Sequence, residues 1–222
     1  MEQFRKTLGY CIDFLFPKSL SLQQIESLSA SELLRLLPHS KEIQDDSLIV
    51  LFDYKDQVVR EMIWELKYKG NRIIAKKFAE ILIDILQVEI AERTLMDSKG
   101  WSLPLLIPMP TSNKRRRERG YNQTEILSEE IKKLDTENLL SYKTDILLKS
   151  TFTKSQARTH ATKREREQNL KDSFSIKNEE EIKNKCIILL DDVTTSGTTF
   201  KEAKRTLMGA HAKRILSIAL AH

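Results

Sequence analysis

The sequence predicts an α/β protein: a doubly wound, mainly parallel sheet with a helical segment appended at the N-terminus. Three observations carry this. Short apolar runs at 48–54, 103–107, 186–190 and 214–220 read as strands. Amphipathic stretches lie between them, and strand alternating with helix is the pattern of parallel crossover connections. The 222 residues, 40% hydrophobic and 31% charged, suffice for one such domain with appended pieces.

The elements follow in order. Phe4, Leu8, Cys11 and Leu15 recur at helical spacing, and Pro17 ends that helix. Ser29-Ala30-Ser31-Glu32 is a capping-box pattern opening a short helix to Leu37. A strand is expected at 48–54, then a helix over 56–68 with Gly70 as its C-cap. Residues 73–93 form a long amphipathic helix, and a turn at 98–100 leads to the strand at 103–107, stopped by Pro108-Met109-Pro110. A helix over 122–134 and a short strand at 145–148 come next. Residues 153–168 are polar, charged and poorly periodic, as expected of a flap, and 173–176 read as an edge strand. The strand at 186–190, a helix over 200–208 and a last strand at 214–220 complete the set. The division implied is a helical segment, 1–46, and an α/β domain, 47–222.

Composition excludes several classes. With only Cys11 and Cys186, neither a disulfide framework nor a cysteine-rich zinc site can be built, and a reducing cytoplasm is the expected location. Phe14-Leu15-Phe16, between Asp13 and Pro17, is too short and too charged at its border for a signal peptide or membrane span. Net charge is +5, and its placement matters more than its size. Lys114, Arg115, Arg116, Arg117 and Arg119 form one cluster, and Lys163, Arg164 and Arg166 a second. A solvated surface is the ordinary reading of such runs. Beside a ligand site they also suit pyrophosphate, nucleic acid, or both.

The chemistry concentrates after Cys186. Ile187-Ile188-Leu189-Leu190 reads as a buried strand, Asp191 and Asp192 stand at its end, and Thr194-Thr195-Ser196-Gly197-Thr198-Thr199 precedes a helix. Backbone N–H groups at a helix N-terminus favour a phosphate, and Gly197 lets the backbone come close. The two acids cannot bind phosphate but can accept hydrogen bonds from sugar hydroxyls, so phosphate beside diol suggests a ribose 5-phosphate. A nucleotide P-loop is excluded, because the six glycines at 9, 70, 100, 120, 197 and 209 nowhere form its pattern. The bland alternative is a strand, a turn and a hydroxyl cap.

This segment resembles the motif of type I phosphoribosyltransferases that binds 5-phosphoribosyl 1-pyrophosphate (PRPP). Three more segments narrow the resemblance: Val58-Val59-Arg60 with Leu66-Lys67-Tyr68-Lys69-Gly70; Ile107-Pro108-Met109-Pro110-Thr111-Ser112 with Arg119-Gly120-Tyr121-Asn122-Gln123; and Gln156, Arg166, Asn169 and Phe174. Together they resemble the ComF family, tied to competence and DNA uptake in bacteria, over roughly residues 47–222, on a type I phosphoribosyltransferase fold. Where that family carries an N-terminal zinc ribbon, this chain has one cysteine, so no zinc is expected.

The resemblance implies roles. Asp191 and Asp192 hold the ribose hydroxyls, one through Mg2+, unless one merely caps the turn. Thr194, Thr195, Ser196, Gly197, Thr198 and Thr199 hold the 5-phosphate. Thr111 and Ser112 match the pyrophosphate loop, although the two prolines also simply end a strand. Arg119, inside the family motif, neutralises pyrophosphate ahead of Lys114, and Arg166 closes over the site from the flap. Lys114, Arg115, Arg116 and Arg117 are solvated or face nucleic acid. Asn122 and Gln123 cap a helix or orient the Arg119 loop. Trp64, Tyr68 and Trp101 read as core or edge aromatics rather than base-stacking platforms. The function implied is a ComF-type PRPP-binding protein, leaning to a phosphoribosyltransferase. Its expected partners are PRPP, single-stranded DNA and competence machinery; oligomerisation is left open. A metabolic enzyme acting on a nucleobase or amine, or a non-catalytic PRPP sensor, uses the same motif. No general base stands out among His39, His160, His211 and His222.

Overall fold

The computed structural model describes residues 20–40, 45–97, 101–149 and 173–222. Two short helices, α1 (Leu20–Ser27) and α2 (Ala30–Leu36), come first. Ser29 caps α2 as its sequence predicts: its side chain accepts from the Glu32 amide, and Glu32 accepts from the Ser29 amide at 2.7 Å. Ile25, Leu33 and Leu37 then join the main core, so this part of the N-terminal segment is packed into the fold. The helix expected around Cys11 lies outside the described residues.

The main sheet is β1 (Leu48–Phe52), β2 (Leu105–Pro108), β3 (Ser141–Tyr142), β6 (Cys186–Val193) and β7 (Arg214–Ala221). Its order is β1-β7-β6-β2-β3, and every neighbouring pair is parallel. A strand pleat sends alternate residues to opposite faces. Leu106, Ile188, Leu190, Leu216 and Ile218 therefore meet one cluster, with Phe78 and Leu82 of α4 (Arg72–Met96) and Leu127 and Ile131 of α6 (Gln123–Leu134). Leu105, Ile107, Ile187 and Leu189 meet the other, with Phe200, Ala203 and Leu207 of α7 (Thr198–Gly209). Both faces are covered, which is the doubly wound arrangement predicted. No helix among the described residues is long and apolar enough to cross a membrane.

Four boundaries differ from expectation. β6 continues through both acids to Val193, because Asp191 and Val193 still pair with Ala219 and Ala221 of β7. The segments near 145–148 and 173–176 form a separate antiparallel pair, β4 (Leu147–Lys149) with β5 (Phe174–Ile176), instead of extending the main sheet. The helix expected over 56–68 is α3 (Gln57–Trp64), followed by one π turn, Glu65–Lys69. The cluster of cations is itself a helix, α5 (Asn113–Arg119).

Candidate active site

The carboxyl ends of β2 and β6 open into a cleft of about 430 Å³ lined by Lys67, Thr111, Arg115, Arg119, Gln123, Lys149, Asp191, Asp192, Thr195 and Thr199, among others. Parallel sheets place ligands there as a rule. The two acids are not equivalent. Asp192 is buried and its oxygens are engaged: Lys67 Nζ lies 3.3 Å from Oδ1, and Gln123 Nε2 donates to Oδ2 at 2.8 Å. Asp191 accepts from the Asp192 amide at 2.9 Å. Its pKa is raised well above the carboxylate range, first by burial and then by the like charge of Asp192.

Lys67 reaches this position because of the π turn. A π turn adds a residue per turn and shifts the helix phase. It buries Glu65 and Leu66 and leaves Lys67 and Tyr68 lining the cleft. Glu65 is held by Lys69 at 3.0 Å and Asn71 Nδ2 at 3.1 Å, so its burial is compensated. Gly70 then turns the chain with φ +60. A Cβ there would lie 3.0 Å from the ring of Tyr121. Gly70→Ala should therefore cost at least about 1–2 kcal/mol from the left-handed backbone alone, read as a lower urea midpoint; an unchanged midpoint would remove this packing from the account.

The segment Arg119-Gly120-Tyr121-Asn122-Gln123 performs a separate task at each residue. Gly120, with φ 84, ends α5. The Tyr121 hydroxyl donates to the Lys67 carbonyl at 3.2 Å, and burial pushes its pKa up to about 12. Asn122 caps α6 and donates to the Met109 carbonyl at 3.0 Å, where Thr124 Oγ1 also donates at 2.8 Å. The loop after β2 is thereby fixed to the start of α6. Gln123 joins two roles: its Oε1 accepts from Arg119 at 3.3 Å while its Nε2 holds Asp192. The Arg119 guanidinium lies 4.7 Å from the centre of the Tyr68 ring.

The residues expected to hold the 5-phosphate sit at the N-terminus of α7. Gly197, with φ 68, occupies the cap position and no side chain caps the helix. The hydroxyls are thus not used as ordinary caps. Ser196 and Thr198 pair at 2.6 Å, Thr194 is buried, and Thr195 and Thr199 face the cleft. Thr111 lines the cleft, whereas Ser112 accepts from the Arg115 amide at 3.3 Å as the cap of α5. Along α5, Arg115 and Arg119 reach the cleft, Arg116 pairs with Glu125 at 2.7 Å, and Lys114 and Arg117 are exposed. Of the three aromatics read as core or edge, Trp101 is buried, whereas Trp64 and Tyr68 lie at the surface, 40% and 54% exposed. Arg166, Gln156 and the flap lie outside the described residues.

The family description Phosphoribosyl transferase domain matches residues 122–222. Competence protein F of Haemophilus influenzae is 30% identical over 165 residues, covering 73% of this chain and 66% of the relative. The chain belongs to the ComF-like family of type I phosphoribosyltransferases. The DNA utilization protein YhgH of Escherichia coli K12 is 27% identical, with coverage of 76% and 69%. The chain thus spans about two thirds of the length of these curated relatives. A solved allosteric regulatory enzyme of purine biosynthesis aligns at 16% identity and a TM-score of 0.37 over 71% of this chain and 30% of its own, too loosely to bear on the fold.

Two ComF-like motifs distant in sequence, Leu66-Lys67-Tyr68-Lys69-Gly70 and Arg119-Gly120-Tyr121-Asn122-Gln123, prove to be one packed unit beneath Asp192. Sequence reasoning missed Lys67, Gln123 as a carboxylate ligand, and Lys149. Lys149 lines the cleft from β4, its pKa lowered by burial and then by Arg115.

Proposed function

We propose that this chain is a ComF-type PRPP-binding protein acting in competence and DNA uptake, with phosphoribosyl transfer as its chemistry. The observation that carries the reading is one cleft with Asp191 and Asp192 between two anion-binding ends. Thr195 and Thr199 at the α7 N-terminus make the 5-phosphate end. Lys67, Arg115, Arg119 and Lys149 make the pyrophosphate end, with Thr111 beside them. The ribose diol then faces the acids. Asp191 takes the hydroxyl contacts, and Asp192 chiefly fixes Lys67 and Gln123.

Among the described residues, no cluster of three or more His, Cys, Asp or Glu side chains could hold a metal ion. Mg2+ commonly takes one or two carboxylates together with substrate phosphates, so Asp191 and PRPP oxygens form a suitable set. Its chemistry there is neutralisation of the pyrophosphate charge. The cations of the cleft supply the same stabilisation from fixed positions. Zinc has no part in this reading, and a cytoplasmic location follows the cysteine usage.

Calorimetric titration with PRPP, with and without Mg2+, tests the assignment. Saturable, Mg2+-dependent binding is expected; no binding at millimolar PRPP sinks it. Single-stranded DNA is the proposed macromolecular partner, supported by the exposed cations Lys114 and Arg117 on α5. Lys114→Ser/Arg117→Ser, which leaves the cleft residue Arg115 in place, should weaken DNA binding and lower its salt slope by about one per lost phosphate contact. An unchanged slope would take α5 out of the DNA interface.

A further inference from the structure

The turn 194–197 borders a second cavity, of about 570 Å³, whose other walls include Asp45, Ser47, Lys201, Lys204 and His222. Of the residues lining this space and the cleft, only Thr195 belongs to both. A Cβ built on Gly197 would meet nothing within 4 Å, so the turn is uncrowded here. Lys204 is held in place: its side chain is 21% exposed, and Nζ donates to the Ser47 carbonyl at 3.0 Å and to Ser47 Oγ at 2.6 Å. Asp45 Oδ2 stands 3.9 Å away. An ammonium carries three N–H groups, and two are used. Lys201, three residues earlier on α7, is exposed, and its ammonium has no partner among the described residues. His222 Nε2 lies 2.6 Å from the Thr195 carbonyl. A carbonyl only accepts, so Nε2 carries a proton and ties the end of β7 to the turn.

We propose that this cavity is a second ligand site, for a phosphate monoester on a hydroxylated body, the class of sugar phosphates and nucleoside monophosphates, and that its occupation weakens PRPP binding across the turn. Only the effect on PRPP rests on the reading of the cleft; the site does not. Two lysines against one carboxylate leave an excess of positive charge for a phosphate. The Ser196 hydroxyl stands beside them. Asp45 suits the body, because a carboxylate accepts from sugar hydroxyls, and Leu48 and Phe200 give it an apolar strip. The volume is that of a small-molecule site. The antagonism follows from charge. Each ligand brings a phosphate to the same turn, from the Thr199 side for PRPP and from the Lys201 side for the second ester. Like charges so placed repel, and the coupling is reciprocal.

Equilibrium dialysis of the full chain against AMP, UMP, glucose 6-phosphate and inorganic phosphate tests the site. At least one ester should bind saturably and more tightly than inorganic phosphate. Lys201→Ser should weaken that ester about tenfold, the loss expected for one hydrogen bond between charged groups. The same variant should leave PRPP affinity unchanged when no ester is present. PRPP titrations at rising ester concentration should show an apparent Kd that climbs about fivefold and then levels off. No ester binding, or equal affinity in wild type and Lys201→Ser, overturns the site. Inorganic phosphate binding as tightly as every ester overturns the hydroxylated body and leaves an adventitious ion only. An apparent Kd that climbs without limit for every ester that binds also overturns the proposal, because the ester then competes inside the cleft. Ester binding that Lys201→Ser weakens, in a chain that takes no PRPP, upholds the site and overturns the reading of the cleft.

Discussion

Asp191→Ala/Asp192→Ala should lose PRPP binding by a factor of about 100 or more while remaining folded. Hydrogen bonds to charged groups contribute roughly 1.5–3 kcal/mol each, so losing both acids reaches that factor. Folding should survive because Asp191 is a liability in the free protein. Its pKa is raised by burial and by Asp192, so the folded chain holds this proton more tightly than the unfolded chain does. Its ionised form therefore costs stability progressively as pH rises above the ordinary carboxylate range. Asp191→Asn removes that cost. Without PRPP, the single variant should match wild type near pH 4 and melt above it near pH 8, with the gap widening as pH rises. A gap that narrows with pH would contradict the electrostatics, and undiminished PRPP affinity in the folded double variant would contradict the role.

Lys67→Met should lower stability by about 3 kcal/mol, toward the low end for a broken buried pair, because Lys67 keeps 20% exposure against 6% for Asp192. The loss arises from Asp192, left enclosed without its cation, with Gln123 still donating to it. Lys67→Met/Asp192→Asn should recover most of that stability while PRPP binding stays weak. Urea melts of the single and double variants read this directly. If the two losses simply add, the pair is not coupled and Lys67 acts on the ligand alone.

Much of the fold was legible because it rests on side chains whose pattern has one cheap solution. Ile187 to Leu190 can only be a buried strand, and the Ser29–Glu32 box can only open a helix. The short strands were harder: Leu147–Lys149 and Phe174–Ile176 have the right composition but too few residues to specify a partner, and they chose each other. In the site, the hydroxyl loop and the acids could be read because their spacing is local. Lys67 could not. A lysine near a helix end reads as solvent-facing, and only a π turn, to which a 3.6-residue period is blind, sends it to a carboxylate 125 positions away. Gln123 was read as a cap or as orienting the Arg119 loop, and it does accept from Arg119, but nothing local announces Asp192. Arg115 looked like its neighbours until α5 had a cleft side.

The place of β7 carries a consequence for synthesis. It follows the other described strands of the sheet in sequence, yet it lies between β1 and β6. Until residues 214–221 emerge, β1 has no neighbour in the sheet and one edge of β6 stays open, each presenting unpaired backbone donors and acceptors to any nearby chain. Stalling or truncation within this strand should therefore yield aggregation rather than a smaller working protein. Its pairing with Asp191 and Val193 also means that the cleft forms only after residues 219–221 have been made.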